Sequence, residues 1–107
     1  MITLIEQHQP AIASVCLRFG VRRLEVFGSA AAGRFDPARS DVDFLVEFDE
    51  DPASLFQRYF GLAEALEQLL GRKVDLVSAG TLRNPYFIAS VNHSRQIVYA
   101  SPLAEAA

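Results

Sequence analysis

Residues 26–29 read Val-Phe-Gly-Ser and, after an interval of eleven residues, residues 41–46 read Asp-Val-Asp-Phe-Leu-Val. The first stretch predicts a strand that runs into a tight turn, because Gly28 lets the chain turn sharply and lets the backbone approach a ligand closely. Ser29 adds a hydroxyl and opens a short helix, whose free N–H groups attract phosphate. The second stretch places two aspartates at the start of an apolar strand. Together the stretches predict a phosphate-binding turn beside an acidic strand end.

Asp41 and Asp43 are the first candidate metal ligands. Side chains two residues apart on an extended chain point to the same face, with Cα atoms about 6–7 Å apart. Magnesium prefers oxygen ligands and retains water and substrate phosphates in its coordination shell, so paired carboxylates suit it. An unpaired buried carboxylate is costly, and a bound cation removes that cost. The alternative is that both aspartates cap a turn and face water, since Asp-x-Asp is common by chance.

Asp75 is the candidate third carboxylate. Metal-dependent phosphoryl transfer uses carboxylates to hold the ions or to activate the attacking hydroxyl. Asp75 lies in the apolar stretch Val74–Val77, and strand interiors are depleted in aspartate. If its strand lies beside that of Asp43, both carboxylates reach the same ions. The alternative is an aspartate on an edge strand that faces solvent.

The hydrophobic pattern predicts alternating helices and strands. A helix beginning at Pro10 and ending at Gly20 is preceded by a helical turn at residues 3–8. Later elements are a strand (23–27), a short helix (30–33), a strand (43–48), a helix from Asp51–Pro52 to Gly71, a strand (74–77), a helix from Asn84–Pro85 and a strand (96–99). The long helix carries one apolar stripe, formed by Leu55, Tyr59, Leu62, Leu66 and Leu69. This order predicts a two-layer α/β (α+β) fold with a four-stranded, mixed sheet.

Length and composition set broader limits. The 107 residues predict one domain over residues 1–107, with a core at about 10–99 and a tail at 100–107. The net charge is −3 and the ten basic residues are scattered, so no nucleic-acid groove is indicated. Cys16 is the only cysteine, which excludes an internal disulfide and a cysteine-rich zinc site. Without a signal peptide or a membrane-spanning stretch, we expect a cytoplasmic protein.

The two stretches, with the helical turn that ends at Gly33, closely resemble the minimal nucleotidyltransferase group of the DNA polymerase β superfamily. The resemblance covers residues 10–99. It implies a polymerase-β-like fold on a mixed sheet, a nucleoside triphosphate (ATP) as substrate and magnesium, in two ions, as cofactor. It also implies roles for individual residues: Asp41, Asp43 and Asp75 as metal-binding and catalytic groups, and Gly28, Ser29, Arg34 and Ser40 in nucleotide binding.

One position departs from the family pattern. The family commonly has arginine just before the second glycine of the turn, where this chain has Ala32. Arg34 or Arg39 can supply the cation from a neighbouring position, and loss of a phosphate-facing arginine weakens nucleotide binding. Since all three carboxylates are present, we still expect an enzyme.

The resemblance also implies a partner. Small members of this group look like one half of a toxin–antitoxin module, whose other half is a helical HEPN-type ribonuclease. The transferase then moves AMP onto a tyrosine of the toxin and silences it. A chain of this size has no room for the domains by which larger members grip the acceptor, so we expect a homo- or hetero-oligomer. The alternatives are a non-catalytic antitoxin that acts by occlusion and, less favoured, a transferase that modifies small molecules.

Overall fold

The computed structural model describes residues 1–32, 41–49 and 54–102. Within these ranges the predicted alternation of helices and strands is confirmed. The helices are α1 (Thr3–Gln7), α2 (Gln9–Arg18), α3 (Ser29–Ala32), α4 (Leu55–Leu70) and α5 (Pro85–Ser94). The strands are β1 (Val21–Phe27), β2 (Val42–Phe48), β3 (Val74–Ser78) and β4 (Gln96–Ala100), and a short 3-10 turn at Ala79–Thr81 follows β3.

The strands form one mixed sheet in the order β3-β2-β1-β4. Strand β1 pairs antiparallel with β2 and with β4, whereas β2 and β3 run parallel. The predicted four-stranded, mixed sheet is therefore confirmed. The parallel register aligns Asp43 directly with Asp75, so the condition on which the prediction for Asp75 depended is met.

Alternation along the strands gives the sheet two different faces. One set of side chains, including Leu24, Val26 and Phe44, joins buried residues of α1, α2 and α4 in the main hydrophobic core. The alternate set points to the face that carries α5, where Phe27 and Leu45 pack with Val91. Asp43 and Asp75 belong to this second set, so the sheet presents its acidic residues on the α5 face.

The main core also contains Cys16. Its side chain is completely buried on the inner face of α2. Burial disfavours the charged thiolate and raises the pKa of the thiol to about 12. Cys16 is therefore an inert part of the core.

Several predicted boundaries hold and others shift. Gly20 and Gly71 adopt positive φ angles where α2 and α4 end, and the Asn84 side chain caps α5 by accepting from Tyr86 N at 2.9 Å. Strand β4 extends to Ala100, one residue into the predicted tail, because Ser101 N donates to the Arg22 carbonyl at 2.8 Å. The predicted start of the long helix at Asp51–Pro52 lies outside the described residues.

The apolar stripe of α4 is only partly correct. Leu62 and Leu66 are fully buried and Leu70 is nearly so, but Leu55 is 50% exposed. The buried positions of α4 thus begin at Leu62, where the helix covers the sheet.

Side chains of α4 cover the outer edge of β3. The Tyr59 hydroxyl donates to the Leu76 carbonyl, and Val74 N donates to Glu67 Oε1 at 3.3 Å. Tyr59, Ala63 and Glu67 are spaced four residues apart, so they lie along one helix face. These contacts satisfy backbone groups that an edge strand otherwise leaves open to pairing with another chain.

Candidate active site

The Gly28 turn lies directly beside Asp43. Gly28 follows the end of β1 with φ +71°, a left-handed conformation that residues with a Cβ atom rarely adopt. A Cβ atom at this position would lie 2.8 Å from Asp43 Oδ2. Glycine is therefore required both by the backbone conformation and by the approach of the carboxylate.

The backbone of this turn is fixed from α5. Gly28 N donates to Ser94 Oγ at 2.9 Å, a contact between residues 66 positions apart. This N–H group is thus already bonded within the chain. Gly28, Ser29 and Ser94 also line an open cleft of about 530 Å³ together with Ser90 and His93.

Asp43 and Asp75 form the centre of the acidic site. They are aligned in the parallel register of β2 and β3, and their carboxyl groups lie close enough to interact. Burial raises the pKa of Asp43 to about 6, and the nearby Asp75 and Asp41 carboxylates contribute to the same rise. Asp75 is exposed and lies on the edge strand. The alternative prediction, that Asp75 lies on an edge strand and faces solvent, is therefore also correct. The Asp75 carboxylate nevertheless contacts Asp43.

Asp41 lies to one side of this pair. It precedes β2, is half-buried, and has Oδ2 3.9 Å from Lys73 Nζ. Over residues 1–32, 41–49 and 54–102, no group of three His, Cys, Asp or Glu side chains is arranged to hold a metal ion. The structure thus brings together two of the three predicted carboxylates, with Asp41 close enough to influence the pKa of Asp43.

The donor set fits a divalent cation. Burial and, after it, repulsion from the neighbouring carboxylates favour the protonated form of Asp43 and so raise its pKa. A hard cation bound by both oxygens would replace that proton, and carboxylate oxygens are the ligands that magnesium prefers. Arg34, Arg39 and Ser40 lie outside the described residues, as does the side chain of Ala32.

A second open cleft, of about 650 Å³, runs from the carboxylate pair around the edge of β3. Asp43 and Asp75 lie in its wall with Phe27, Phe60 and Phe87. The sequence pattern favours core or interface packing for Phe87 and gives no signal for Phe60. Their exposure, 40% and 54% respectively, leaves both rings available to a ligand.

An ion pair beneath α5 was not predicted. Glu25 is 4% exposed and accepts from Arg95 through both oxygens, at 2.6 Å and 2.7 Å. The hydrogen bonds from Arg95 lower the pKa of Glu25 and outweigh the opposing effect of burial. Glu25 is an acidic residue between the apolar Leu24 and Val26, which is a weaker form of the signal at Asp75. Nothing in the sequence identifies Arg95 as its partner.

Comparison with known proteins identifies the family. The family model described as a nucleotidyltransferase domain matches residues 11–100. The chain belongs to this nucleotidyltransferase family. The match spans both strands that carry the acidic pair and the turn at Gly28, and the chain is accordingly a nucleotidyltransferase.

Two relatives bear names that specify the transferred group. The nucleotidyltransferase is 40% identical over 74 residues to MJ1379 of Methanocaldococcus jannaschii, provisionally named a protein adenylyltransferase; the match covers 69% of this chain and 73% of the relative. It is 48% identical over 67 residues to the protein adenylyltransferase MntA of Thermococcus cleftensis, covering 63% and 65% of the respective chains.

Solved structures share the fold. A minimal nucleotidyltransferase superposes with a TM-score of 0.71 at 36% identity, over 85% of this chain and 89% of that one. A toxin–antitoxin complex with AMP-PNP superposes with a TM-score of 0.66 at 19% identity, over 92% and 78%. The predicted minimal nucleotidyltransferase fold is thereby confirmed. In the described part of the chain, no helix is both long and apolar enough to span a membrane.

Proposed function

We propose that this nucleotidyltransferase transfers AMP from ATP to a tyrosine hydroxyl of a helical HEPN-type partner and thereby acts as its antitoxin. The observation that carries the proposal is the contact between the Gly28 turn and Asp43, which pairs with Asp75. A turn that binds polyphosphate and an acidic pair in contact with it are suited to a nucleoside triphosphate that carries a metal ion. The names of the relatives support AMP as the transferred group.

Each group of the site has a role in this reaction. Asp43 and Asp75, with Asp41 contributing from one side, would hold magnesium, which would supply positive charge for the phosphate oxygens and the leaving pyrophosphate. The Gly28 turn and the Ser29 hydroxyl orient the β- and γ-phosphates. The acceptor oxygen attacks the α-phosphorus, and the bond from phosphorus to the pyrophosphate oxygen breaks. Asp75, the more exposed carboxylate of the pair, faces the open cleft and accepts the proton of the acceptor hydroxyl.

The direct test is label transfer. Purified chain is incubated with α-labelled ATP, magnesium and the product of the neighbouring gene, and label on the partner is measured. Asp43→Asn and Asp75→Asn should each reduce transfer by at least about a hundredfold, because each removes a metal-binding charge. Glu64→Gln is the matched control: Glu64 is exposed on α4 and contacts Gln68 at 3.4 Å, so its transfer rate should equal that of the wild type. Undiminished transfer by both aspartate variants would refute the catalytic role.

Neutralisation by occlusion is the second candidate. The exposed aromatic residues Phe56 and Phe60, with ring centroids 4.6 Å apart, favour it because they offer an apolar contact surface. Under occlusion, the Asp43→Asn variant still silences the partner at full strength. Under catalysis, it binds the partner but leaves it toxic. Growth of cells that express both proteins, together with co-purification, separates these two outcomes.

A further inference from the structure

The cleft outside β3 has an aromatic wall that the proposed catalytic roles leave unexplained. Phe87 packs edge-on against Phe27, with ring centroids 6.0 Å apart, and Phe60 packs edge-on against Tyr59 at 5.2 Å. Both Phe60 and Phe87 remain substantially exposed. The cleft therefore holds two rings in place, each with free apolar surface beside the carboxylate pair.

The charge of the cleft argues against a polyphosphate. The charged side chains that line it, among the residues described, are Asp43, Glu67 and Asp75, and no described Lys or Arg contributes to the wall. Beyond the proposed metal-binding carboxylates, an ATP polyphosphate would meet Glu67 and apolar rings but no described cationic side chain. A neutral aromatic group, by contrast, meets rings with which edge-to-face contacts are favourable.

The order of the strands indicates which substrate the cleft receives. Gly28 lies at the end of β1, Asp43 on β2 and Asp75 on β3, and the cleft continues around the outer edge of β3. In phosphoryl transfer the attacking and leaving oxygens lie roughly in line on opposite sides of the phosphorus. With the pyrophosphate at the Gly28 turn and the phosphorus at the carboxylates, the attacking oxygen approaches from the side of Asp75 and Phe60.

We propose that the cleft outside β3 is the acceptor subsite and that Phe60 and Phe87 make it selective for a phenol side chain over an aliphatic hydroxyl. This inference rests on the proposed function and adds where the acceptor binds and which residues select it. The ring of an acceptor tyrosine packs against Phe60 and Phe87, and its oxygen faces Asp75. Serine and threonine reach the same carboxylate but leave both rings without a partner.

Binding of a model acceptor tests the subsite without any catalytic step. Saturation-transfer NMR is recorded with N-acetyl-tyrosinamide, and with N-acetyl-serinamide for comparison. We expect transfer to the tyrosine ring with the wild type, a reduction of about three- to tenfold with Phe60→Ala, and little transfer to the serine compound. Leu17→Ala is the matched control: Leu17 is 71% exposed on α2 and does not line the cleft. Equal signals for Phe60→Ala and wild type would overturn the proposal.

Kinetics then distinguish the acceptor from the nucleotide. With the partner protein as acceptor, Phe60→Ala and Phe87→Leu should raise the acceptor KM about three- to tenfold, while the KM for ATP stays unchanged. A raised KM for ATP with an unchanged acceptor KM would instead assign the cleft to the adenine base and overturn the inference. If the wild type transfers no label at all, the proposed function fails, while the NMR comparison still decides whether the cleft binds a phenol.

Discussion

At the scale of single residues, the site depends on a side chain that is absent. A Cβ atom at Gly28 would lie too close to Asp43 Oδ2, so the carboxylate can take its position only because residue 28 has no side chain. Gly71, at the end of α4, has almost the same backbone conformation, with φ +65° against +71°, but a Cβ atom added there would meet no other atom within 4 Å. Alanine substitutions at the two glycines therefore separate the effect of the left-handed backbone conformation from the effect of the contact with Asp43.

We predict that Gly28→Ala lowers label transfer by about a hundredfold, because the displaced carboxylate no longer holds its position to within an ångström. Gly71→Ala puts an alanine in the same left-handed conformation, so it should lower the free energy of unfolding by about 1–2 kcal/mol. It should nevertheless retain the wild-type transfer rate. Rates measured alongside urea unfolding curves check both variants; equal loss of activity in the two would contradict a role for the contact with Asp43.

At the scale of elements, α4 protects the edge of the sheet that borders the acceptor cleft. Its side chains bond the outer backbone groups of β3, chiefly through the Tyr59 hydroxyl on the Leu76 carbonyl. The hydrogen bond links α4 to the strand that carries Asp75. The orientation of the helix relative to the acidic strand is therefore fixed by a side-chain contact as well as by apolar packing.

Tyr59→Phe should reduce the free energy of unfolding by about 0.5–1.5 kcal/mol, the usual net value of a hydrogen bond. Tyr86→Phe removes the same atom from a side chain that is 86% exposed, and its stability should stay within about 0.5 kcal/mol of the wild type. Chemical denaturation of the three proteins gives the comparison. A Tyr59→Phe variant as stable as Tyr86→Phe would show that the contact with β3 contributes nothing.

The sequence predicted the elements well and their arrangement less completely. The apolar run of β2 and the Asn84–Pro85 start of α5 are local signals, so they were recognised. Leu55 was predicted to share the apolar stripe of α4, but it is half exposed. Periodicity shows which residues share a helix face but not how far the sheet extends beneath that face. The contact between Ser94 and Gly28, 66 positions apart, depends on the strand order, which periodicity does not determine.

At the scale of the whole molecule, the Glu25–Arg95 pair joins β1 to the C-terminal end of α5. These residues are 70 positions apart, and the neighbouring Ser94 holds the Gly28 turn. The ion pair thus fixes the end of α5, and Ser94 at that end fixes the Gly28 turn. Its strength depends on pH, because the pKa of Glu25 is lowered in the folded chain from its ordinary value of 4.5.

A lowered folded-state pKa means that the stabilisation is fully present above the ordinary pKa and is lost as the pH falls through the folded-state value. We predict that Glu25→Gln costs about 2 kcal/mol at about pH 7, and that its difference from the wild type shrinks as the pH falls below 4.5. Glu47→Gln is the control, since Glu47 and Arg22 form a half-exposed pair at 3.7 Å worth at most about 1 kcal/mol. Thermal unfolding of the wild type and the two variants, from about pH 7 to below 4.5, provides the measurement. If the stability difference between Glu25→Gln and the wild type did not change with pH, it would contradict the role assigned to the Glu25–Arg95 pair.

The buried thiol of Cys16 has a practical consequence for labelling the protein. It is the only cysteine in the sequence and stays protonated and shielded within the core. A second cysteine placed on the surface, for example at Phe56, becomes the one thiol that a maleimide dye reaches in the folded protein. Fluorescent probes can therefore be attached beside the acceptor cleft without first removing the native sulfur.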